Sequence, residues 1–309
     1  MRGGMPIDRE RLVEVEDKLA SLDTIEQVLD RGDRQLLVLD LSQDRAQAAI
    51  AVGDVDTADH VVPFTPGVTS TVDGSMENYD ANMQDLKFNM EDILDRTGRT
   101  DETVATVSWI GYQAPQLSID SLTDPGESTL LDGAARSGAA KLAPFLDGLD
   151  AARPGDSPHL TAIGHSYGSV VTGMALQQAT SVDDAVIFGS PGPGTHDIGN
   201  LNVGEGRLVS IEAKNDVVAD LGRFGGDPTF MEGVRHGSSE SAVNPLTGQQ
   251  MVGVEGHSAY FENDSTSQFN MAAIAVGERE LVVEGRTVDS GDYIAGGVRG
   301  WLRSQGWPI

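Results

Sequence analysis

The chain has 309 residues, of which 39% are hydrophobic and 22% are charged, as in an ordinary globular protein with a substantial core. It holds no cysteine, which excludes disulfides, thiolate catalysis and cysteine-ligated metal. A formal net charge of −27 argues against nucleic acid and anionic membrane surfaces as partners. No apolar run approaches the length of a membrane span, and no signal core follows Met1, so we expect a cytoplasmic protein.

The chain opens with a helix and a hairpin. Apolar residues recur at helical spacing through residues 8–31 and predict an amphipathic helix that packs on the main domain as an arm. The runs Gln35–Leu41 and Gln47–Val52 predict two strands joined by a polar hairpin loop. The acidic stretch at residues 53–59 does not have the spacing of a calcium-binding EF-hand loop, and we interpret it as a turn before a strand.

From His60 onward, predicted strands alternate with predicted helices. The strands are His60–Thr65, Thr103–Trp109, a run that ends at Ile163, Asp184–Phe188, Arg207–Ala213 and a short last strand, Gln249–Val254. The helices are Asn78–Thr97, Leu130–Leu149, Val170–Gln178 and Phe269–Val276, with an ambiguous tail that includes Tyr293–Leu302. This alternation predicts a mostly parallel sheet with right-handed crossovers and an antiparallel N-terminal hairpin at one edge, the plan of an α/β hydrolase.

Two features concern the organisation of the chain. We predict an N-terminal helical arm over residues 1–34 and a single α/β domain over residues 35–309, because no linker divides the sequence further. The connection Gln113–Ser128 is longer than a minimal loop, which favours a lid or a wall of the functional site.

The most informative stretch is Gly164-His165-Ser166-Tyr167-Gly168, which stands between an apolar run and a helix. A Gly-x-Ser-x-Gly sequence in a strand–turn–helix context predicts a nucleophile elbow, in which a sharp turn exposes the serine at the carboxyl edge of the sheet. The two glycines lack a Cβ, so the strand and the helix can approach each other closely. Ser166 is therefore the candidate nucleophile.

A serine hydroxyl needs a base, and the base needs a carboxylate that fixes its tautomer. In this fold the acid and the histidine follow the serine in that order, each after a later strand. Asp216 comes directly after the predicted strand Arg207–Ala213, and His257 follows the last one. Other residues also qualify: the rival acids are Asp220 and Asp227, and the rival histidine is His236.

An oxyanion hole needs two backbone N–H donors aimed at the tetrahedral intermediate. One is expected from Tyr167, the residue after the candidate nucleophile. The other is expected from the loop after the strand His60–Thr65, where either Val68 or Thr69 supplies the amide and Val68 is slightly favoured.

Several blocks stand out within residues 35–277: residues 53–61, Trp109-Ile110-Gly111-Tyr112, the elbow, Gly189-Ser190-Pro191-Gly192 and His257-Ser258-Ala259-Tyr260-Phe261. Together these blocks resemble a largely uncharacterised family of actinobacterial α/β hydrolases. The resemblance implies the hydrolase fold and a triad of Ser166, Asp216 and His257. It implies no particular substrate.

These observations predict a serine hydrolase that cleaves small-molecule carboxylic esters through an acyl-enzyme, with no metal or organic cofactor. The same triad also serves thioesterases and amidases. A binding protein that keeps the hydrolase scaffold without turnover is a further alternative. The sequence does not decide the acyl group, the physiological substrate or the oligomeric state.

Overall fold

The computed structural model describes residues 9–116, 128–153, 155–178 and 180–286, and one eight-stranded sheet runs through them. The strands are β1 (Arg34–Asp40), β2 (Gln47–Val52), β3 (His60–Thr65), β4 (Val104–Ile110), β5 (His159–His165), β6 (Asp184–Phe188), β7 (Leu208–Ile211) and β8 (Arg235–Gly237). The α-helices in the described residues are α1 (Arg9–Leu29), α2 (Val72–Thr97), α3 (Ser128–Ala151), α4 (Tyr167–Leu176) and α5 (Thr266–Ala275).

The strands lie in the order β1-β2-β4-β3-β5-β6-β7-β8. β1 pairs antiparallel with β2, and β2 pairs antiparallel with β4. Every later pair, from β4–β3 to β7–β8, is parallel. The predicted mostly parallel sheet with an antiparallel N-terminal hairpin at one edge is confirmed.

Helices cover both faces of the sheet. Side chains alternate along a strand, so Val61 packs in the same cluster as residues of α3 and α4, and its neighbour Val62 packs with residues of α2 and α5. β2, β3, β4 and β6 are buried along their whole length, which explains their continuous apolar sequences. Because the strands from β3 onward are parallel, their carboxyl ends share one edge of the sheet.

Helix α1 packs against α2, and its buried apolar residues lie in its second half. Ile25 and Val28 are buried there. The large apolar residues of the first half remain 45–55% exposed: Leu12, Val13, Val15 and Leu19. The helix is thus where the sequence predicts it, but half of its apolar stripe lies outside the core. The division into an arm of residues 1–34 and a domain of residues 35–309 stays a prediction.

The end of the sheet differs from the prediction. Gln249–Val254 is not a sheet strand: its residues form only isolated bridges, Val243 with Gln250 and Val252 with Ser265. The eighth strand is instead β8, which consists of Arg235, His236 and Gly237. Three residues of this kind are too few and too polar to show the alternation that marks a strand.

Helix α2 begins six residues before its predicted start at Asn78. Thr71 caps it, with its side-chain oxygen accepting a hydrogen bond from Gly74 N–H at 3.1 Å. Gly74 disfavours a helix on its own, and the Thr71 cap sets the start of the helix before it. The predicted stop at Gly98 is confirmed, because this residue has φ 82° and closes the helix.

Two predicted features lie wholly or mainly outside the described residues. The predicted wall Gln113–Ser128 is described only up to residue 116 and again from residue 128, and the predicted tail helix Tyr293–Leu302 lies entirely outside. None of the helices in the described part combines the length and apolar character that crossing a membrane requires.

Candidate active site

Ser166 lies at the turn between β5 and α4, with φ 54° and ψ −132°. This left-handed backbone is strained for a residue with a Cβ. The turn is sharp because two glycines permit close approach: a Cβ on Gly164 would stand 2.7 Å from Ser169 Cα, and a Cβ on Gly168 would stand 2.2 Å from Thr65 O. The elbow geometry expected from the two glycines is confirmed.

The structure brings together the three residues predicted to form the site. His257 Nε2 lies 2.7 Å from Ser166 Oγ. On the other side of the ring, His257 Nδ1 lies 2.8 Å from Asp216 Oδ1 and 3.0 Å from Oδ2. The carboxylate therefore fixes the tautomer in which Nδ1 carries the proton and Nε2 faces the hydroxyl.

Asp216 is a fully buried carboxylate surrounded by donors. Tyr260 O–H donates to its Oδ2 at 2.6 Å, and the N–H groups of Val218 and Ala219 donate to Oδ1 at 3.1 and 3.3 Å. Burial opposes ionisation, but the hydrogen bonds and charge of His257 and the Tyr260 hydroxyl outweigh it and keep the pKa of Asp216 below its usual value. Asp216 is thus held as an anion behind His257.

The loops that carry Asp216 and His257 are tied to each other. Lys214 and Glu255 form a parallel bridge, and Gly256 N–H donates to Lys214 O at 2.8 Å. This bridge replaces the strand that was predicted to deliver His257. The bridge holds His257 close to the end of β7, from which it is far apart in the sequence.

Gly189, directly after β6, lies where these side chains converge. It has φ 53°, and a Cβ there would stand 2.9 Å from Asp216 Oδ2, 3.1 Å from Tyr260 Cε2 and 3.2 Å from His257 Cε1. The absence of a side chain at this position is therefore a condition for the geometry of the site.

His165, which precedes the serine, supports His257 from below. Its Nε2 lies 2.8 Å from His257 O, and its ring stacks on Phe188 with 4.8 Å between centroids. Burial, with the nearby His257 ring, lowers the pKa of His165 to about 3. The ring is therefore neutral, and its Nε2–H donates to the His257 carbonyl.

The two expected oxyanion donors belong to segments that adjoin Ser166. Tyr167 is the first residue of α4 and comes directly after Ser166, so its backbone N–H belongs to the first turn of the helix. In the loop after β3, Thr69 N–H donates to Pro115 O at 2.8 Å, whereas Val68 N–H makes no hydrogen bond to another described residue. A Cβ on Gly67 would lie 2.9 Å from Ser166 Cβ, so this loop lies directly on the elbow. Of the two amides considered from the sequence, that of Thr69 is thus already engaged, and Val68 stays the predicted donor.

The rival residues lie in other local structures. Asp227 caps a 3₁₀ turn by accepting a hydrogen bond from Thr229 N–H, and Asp220 lies in another 3₁₀ turn after β7. His236 is part of β8 and pairs with Ser210 in the sheet. In the described ranges, no group of three His, Asp or Glu side chains is arranged to hold a metal ion.

Comparison with known proteins decides the family. A family model described as alpha/beta hydrolase matches residues 42–226, which is more than half of the chain. The chain belongs to the α/β hydrolases. An uncharacterised protein of Mycobacterium tuberculosis is 34% identical over 239 residues, which are 74% of this hydrolase and 86% of that protein. A second one from the same species is 33% identical over 184 residues, 58% of this chain and 26% of its own length.

Solved structures similar to this hydrolase include two with 12% sequence identity. A dienelactone hydrolase from Anabaena variabilis has a TM-score of 0.42, with 82% of this chain and 100% of that chain covered. An acylaminoacyl peptidase from Pyrococcus horikoshii has a TM-score of 0.40, with 86% of this chain and 45% of that chain covered. The resemblance to an actinobacterial hydrolase family is confirmed by the family model and the mycobacterial relatives.

Three residues at the site were not singled out by the sequence reasoning. Tyr260, Gly189 and Gly67 shape the hydrolase site through a hydrogen bond or a close approach. Tyr260 and Gly189 belong to blocks that carried the family resemblance. Tyr260 stands three residues after His257 and Gly189 directly after β6, and these positions could have indicated that both belong to the site. Gly67 follows Pro66 in a loop, where a glycine also has ordinary turn roles.

Proposed function

We propose that this α/β hydrolase cleaves carboxylic esters of small molecules through an acyl-enzyme on Ser166, with His257 as base and Asp216 as the acid that orients it. The observation that carries the proposal is the continuous chain of contacts from Ser166 Oγ through the imidazole to a buried carboxylate, at 2.7 and 2.8 Å. Three residues from three loops meet in the geometry that activates a serine.

In the acylation step, Ser166 Oγ attacks the ester carbonyl carbon while its proton passes to His257 Nε2. Asp216, already ionised, stabilises the imidazolium that results. The carbonyl oxygen becomes an oxyanion, and the N–H groups of Tyr167 and Val68 donate to it. His257 then returns the proton to the alcohol oxygen as the bond between that oxygen and the acyl carbon breaks.

In the deacylation step, a water molecule gives a proton to His257 Nε2 and adds to the acyl carbon. The same two amides stabilise the second oxyanion. Collapse of this intermediate breaks the bond to Ser166 Oγ, which takes back its proton and releases the carboxylic acid. His257, Asp216 and the two amides are thus used twice, and the residues named complete the cycle without a cofactor. We also propose that the reaction takes place in the cytoplasm.

A serine-directed fluorophosphonate probe combined with a panel of nitrophenyl esters of increasing acyl length tests this proposal. We expect the probe to label Ser166 and the protein to turn over at least one ester. Ser166→Ala should abolish labelling and lower turnover by far more than 100-fold, because removal of a serine nucleophile from a triad typically costs about 10⁶-fold.

Ser258→Ala is the matched control, because Ser258 is an exposed serine next to His257. It should keep both labelling and turnover. Absence of labelling, together with no turnover of any ester, thioester or anilide, would support a binding protein on the hydrolase scaffold. Turnover of Ser166→Ala above about a hundredth of the wild-type value would contradict the assigned nucleophile.

A further inference from the structure

Tyr112, in the segment that follows β4, holds the loop that carries the Val68 amide. This residue is 3% exposed. Its hydroxyl donates to Pro66 O at 2.8 Å and also faces Gly67 O at 3.3 Å. One buried hydroxyl therefore contacts the two consecutive carbonyls that precede Val68.

These carbonyls determine where the next amides point. A trans peptide is planar, so the C=O of one residue and the N–H of the next point in opposite directions. The carbonyl of Gly67 and the N–H of Val68 belong to one such plane. Glycine leaves this plane free to rotate more than any other residue would. The Tyr112 hydroxyl restricts that rotation through its hydrogen bond to Pro66 O at 2.8 Å and its longer contact with Gly67 O at 3.3 Å.

The same loop is wedged against the elbow. A Cβ on Gly168 would stand 2.5 Å from Pro66 O, and a Cβ on Gly67 would stand 3.1 Å from Ser166 Oγ. Further along, Thr69 N–H donates to Pro115 O at 2.8 Å. The segment after β4 thus forms hydrogen bonds with the loop on both sides of Val68, through Tyr112 before it and Pro115 after it. The Val68 amide lies between these two contacts.

Tyr112 also contacts the residue that carries the other amide. Its ring stacks between Trp109 and Tyr167, with centroid distances of 6.0 and 6.5 Å and interplanar angles of 9° and 25°. A single side chain therefore touches both segments that supply the expected donors, and it touches neither His257 nor Asp216 through any hydrogen bond in the described residues.

We propose that Tyr112 is the positioning residue of the oxyanion hole: its hydroxyl fixes the Pro66–Val68 peptide planes so that Val68 N–H points at the reacting carbonyl. This inference rests on the proposed function. The hydroxyl does no chemistry itself. It lowers the barrier because the amide is already oriented when negative charge develops on the substrate oxygen.

Tyr112→Phe tests the proposal, because it removes the hydroxyl and keeps the ring stack. Loss of one oxyanion donor typically costs about 10²- to 10³-fold in kcat, so a donor that is present but misaligned should cost about 10- to 100-fold. We expect this fall in kcat with KM changed less than about twofold, since the substrate carbonyl is bound only weakly by the hole. All rates are referred to the concentration of Ser166 that the fluorophosphonate probe titrates.

A second readout separates orientation of the hole from general loss of structure. A trifluoromethyl ketone forms a hemiketal oxyanion on the serine, so its affinity should fall by the same factor as kcat. The pH at which kcat/KM is half-maximal on the acid side should not move, because His257 and Asp216 are untouched. A variant that was merely loosened would lose substrate binding or titratable Ser166 instead.

Tyr79→Phe is the matched control. Tyr79 O–H lies 2.9 Å from Ser70 Oγ, so this variant loses a hydroxyl bonded just beyond the same loop while the Pro66 and Gly67 carbonyls keep their donor. It should keep kcat and ketone affinity. If Tyr112→Phe keeps both within twofold, or if Tyr79→Phe loses as much, Tyr112 does not position the hole. If the probe fails to label Ser166 in the wild-type protein, the proposed function fails instead.

Discussion

At the scale of single residues, the negative charge of Asp216, next to His257, depends on hydrogen bonds because this carboxylate is buried away from water. The side chain of Asp216 is fully buried, and the Tyr260 hydroxyl is one of its shortest contacts. The same hydroxyl accepts a hydrogen bond from Ala213 N–H at 2.9 Å, directly after β7. Tyr260 therefore joins the backbone at the end of β7 to the proposed catalytic acid.

We expect Tyr260→Phe to lower both stability and activity. The change leaves the buried Ala213 N–H without its acceptor and Asp216 without one donor, which should cost about 1–3 kcal/mol of unfolding free energy. A less firmly held Asp216 should lower kcat/KM by about tenfold, equal to about 1.4 kcal/mol in the barrier. Urea unfolding followed by tryptophan fluorescence and steady-state kinetics measure the two effects.

A double-mutant cycle with Asp216→Asn shows whether Tyr260 acts through the acid. In the Asp216→Asn background the hydroxyl has no carboxylate to hold, so Tyr260→Phe should add little further loss of kcat/KM. Fully additive losses in kcat/KM would mean that Tyr260 influences turnover by another route.

At the scale of elements, the loops after β6 and β7 and the loop of His257 meet at Gly189. The sequence identifies a glycine after a strand, but the crowding there depends on side chains far away in the chain. The positive φ of 53° adds a second constraint, because residues with a Cβ rarely adopt it. Strain and crowding at Gly189 can be separated experimentally.

Gly189→Ala should lower kcat/KM by at least about tenfold, since the new methyl group would displace Asp216 or His257 from hydrogen-bonding distance. Gly98→Ala is the matched control, because Gly98 has φ 82° at the end of α2 and open space where a Cβ would be. It should lose about 1–2 kcal/mol of stability from strain alone and keep full activity. Equal kinetics for the two variants would show that crowding at Gly189 does not disturb the site.

Elements with a strong local signal could be predicted from the sequence, and those that depend on distant contacts could not. Apolar runs marked β2 and β3, and glycines marked the elbow, because burial and backbone freedom act on neighbouring residues. β8 is recognisable only through its pairing with β7. The run Gln249–Val254 has the sequence of a strand, but it forms only isolated bridges and joins no sheet. In the site, the sequence favoured Val68 only slightly over Thr69, and the hydrogen bond from Thr69 N–H to the distant Pro115 carbonyl is a contact that the sequence could not indicate.

At the scale of the whole molecule, the two ends of the parallel strands differ in their use of charge. The carboxyl ends hold Ser166, Asp216 and His257. The amino ends hold a network in which His60 Nε2 lies 2.7 Å from Glu102 and in which Arg279 and His159 pair with the buried Asp184. Burial lowers the pKa of His60, and the bonds from Arg99 and His60 lower the pKa of Glu102 to about 2. Both ends therefore favour folding near neutral pH.

His165 gives the sharpest prediction of pH dependence. An unfolded chain protonates this histidine near pH 6.5, whereas the folded protein keeps it neutral until the pH nears its lowered pKa of about 3. The unfolded state then binds more protons, so stability is lost as the pH falls below about 6.5. His60 and His236, whose pKa values burial also lowers, add to the loss. Between pH 7 and pH 5, His165 alone should account for about 2 kcal/mol.

His165→Gln tests this contribution, because a glutamine amide can still donate to His257 O but does not titrate. Unfolding by urea is measured at pH 7 and pH 5 in 1 M NaCl, where the screening length of about 3 Å suppresses the field of a chain with net charge −27. The variant should lose about 2 kcal/mol less than the wild type over this interval. His196→Gln, which changes an exposed histidine, should follow the wild type. An equal loss of unfolding free energy in all three proteins would contradict this prediction. It would mean that His165 is protonated in the folded state as readily as in the unfolded chain.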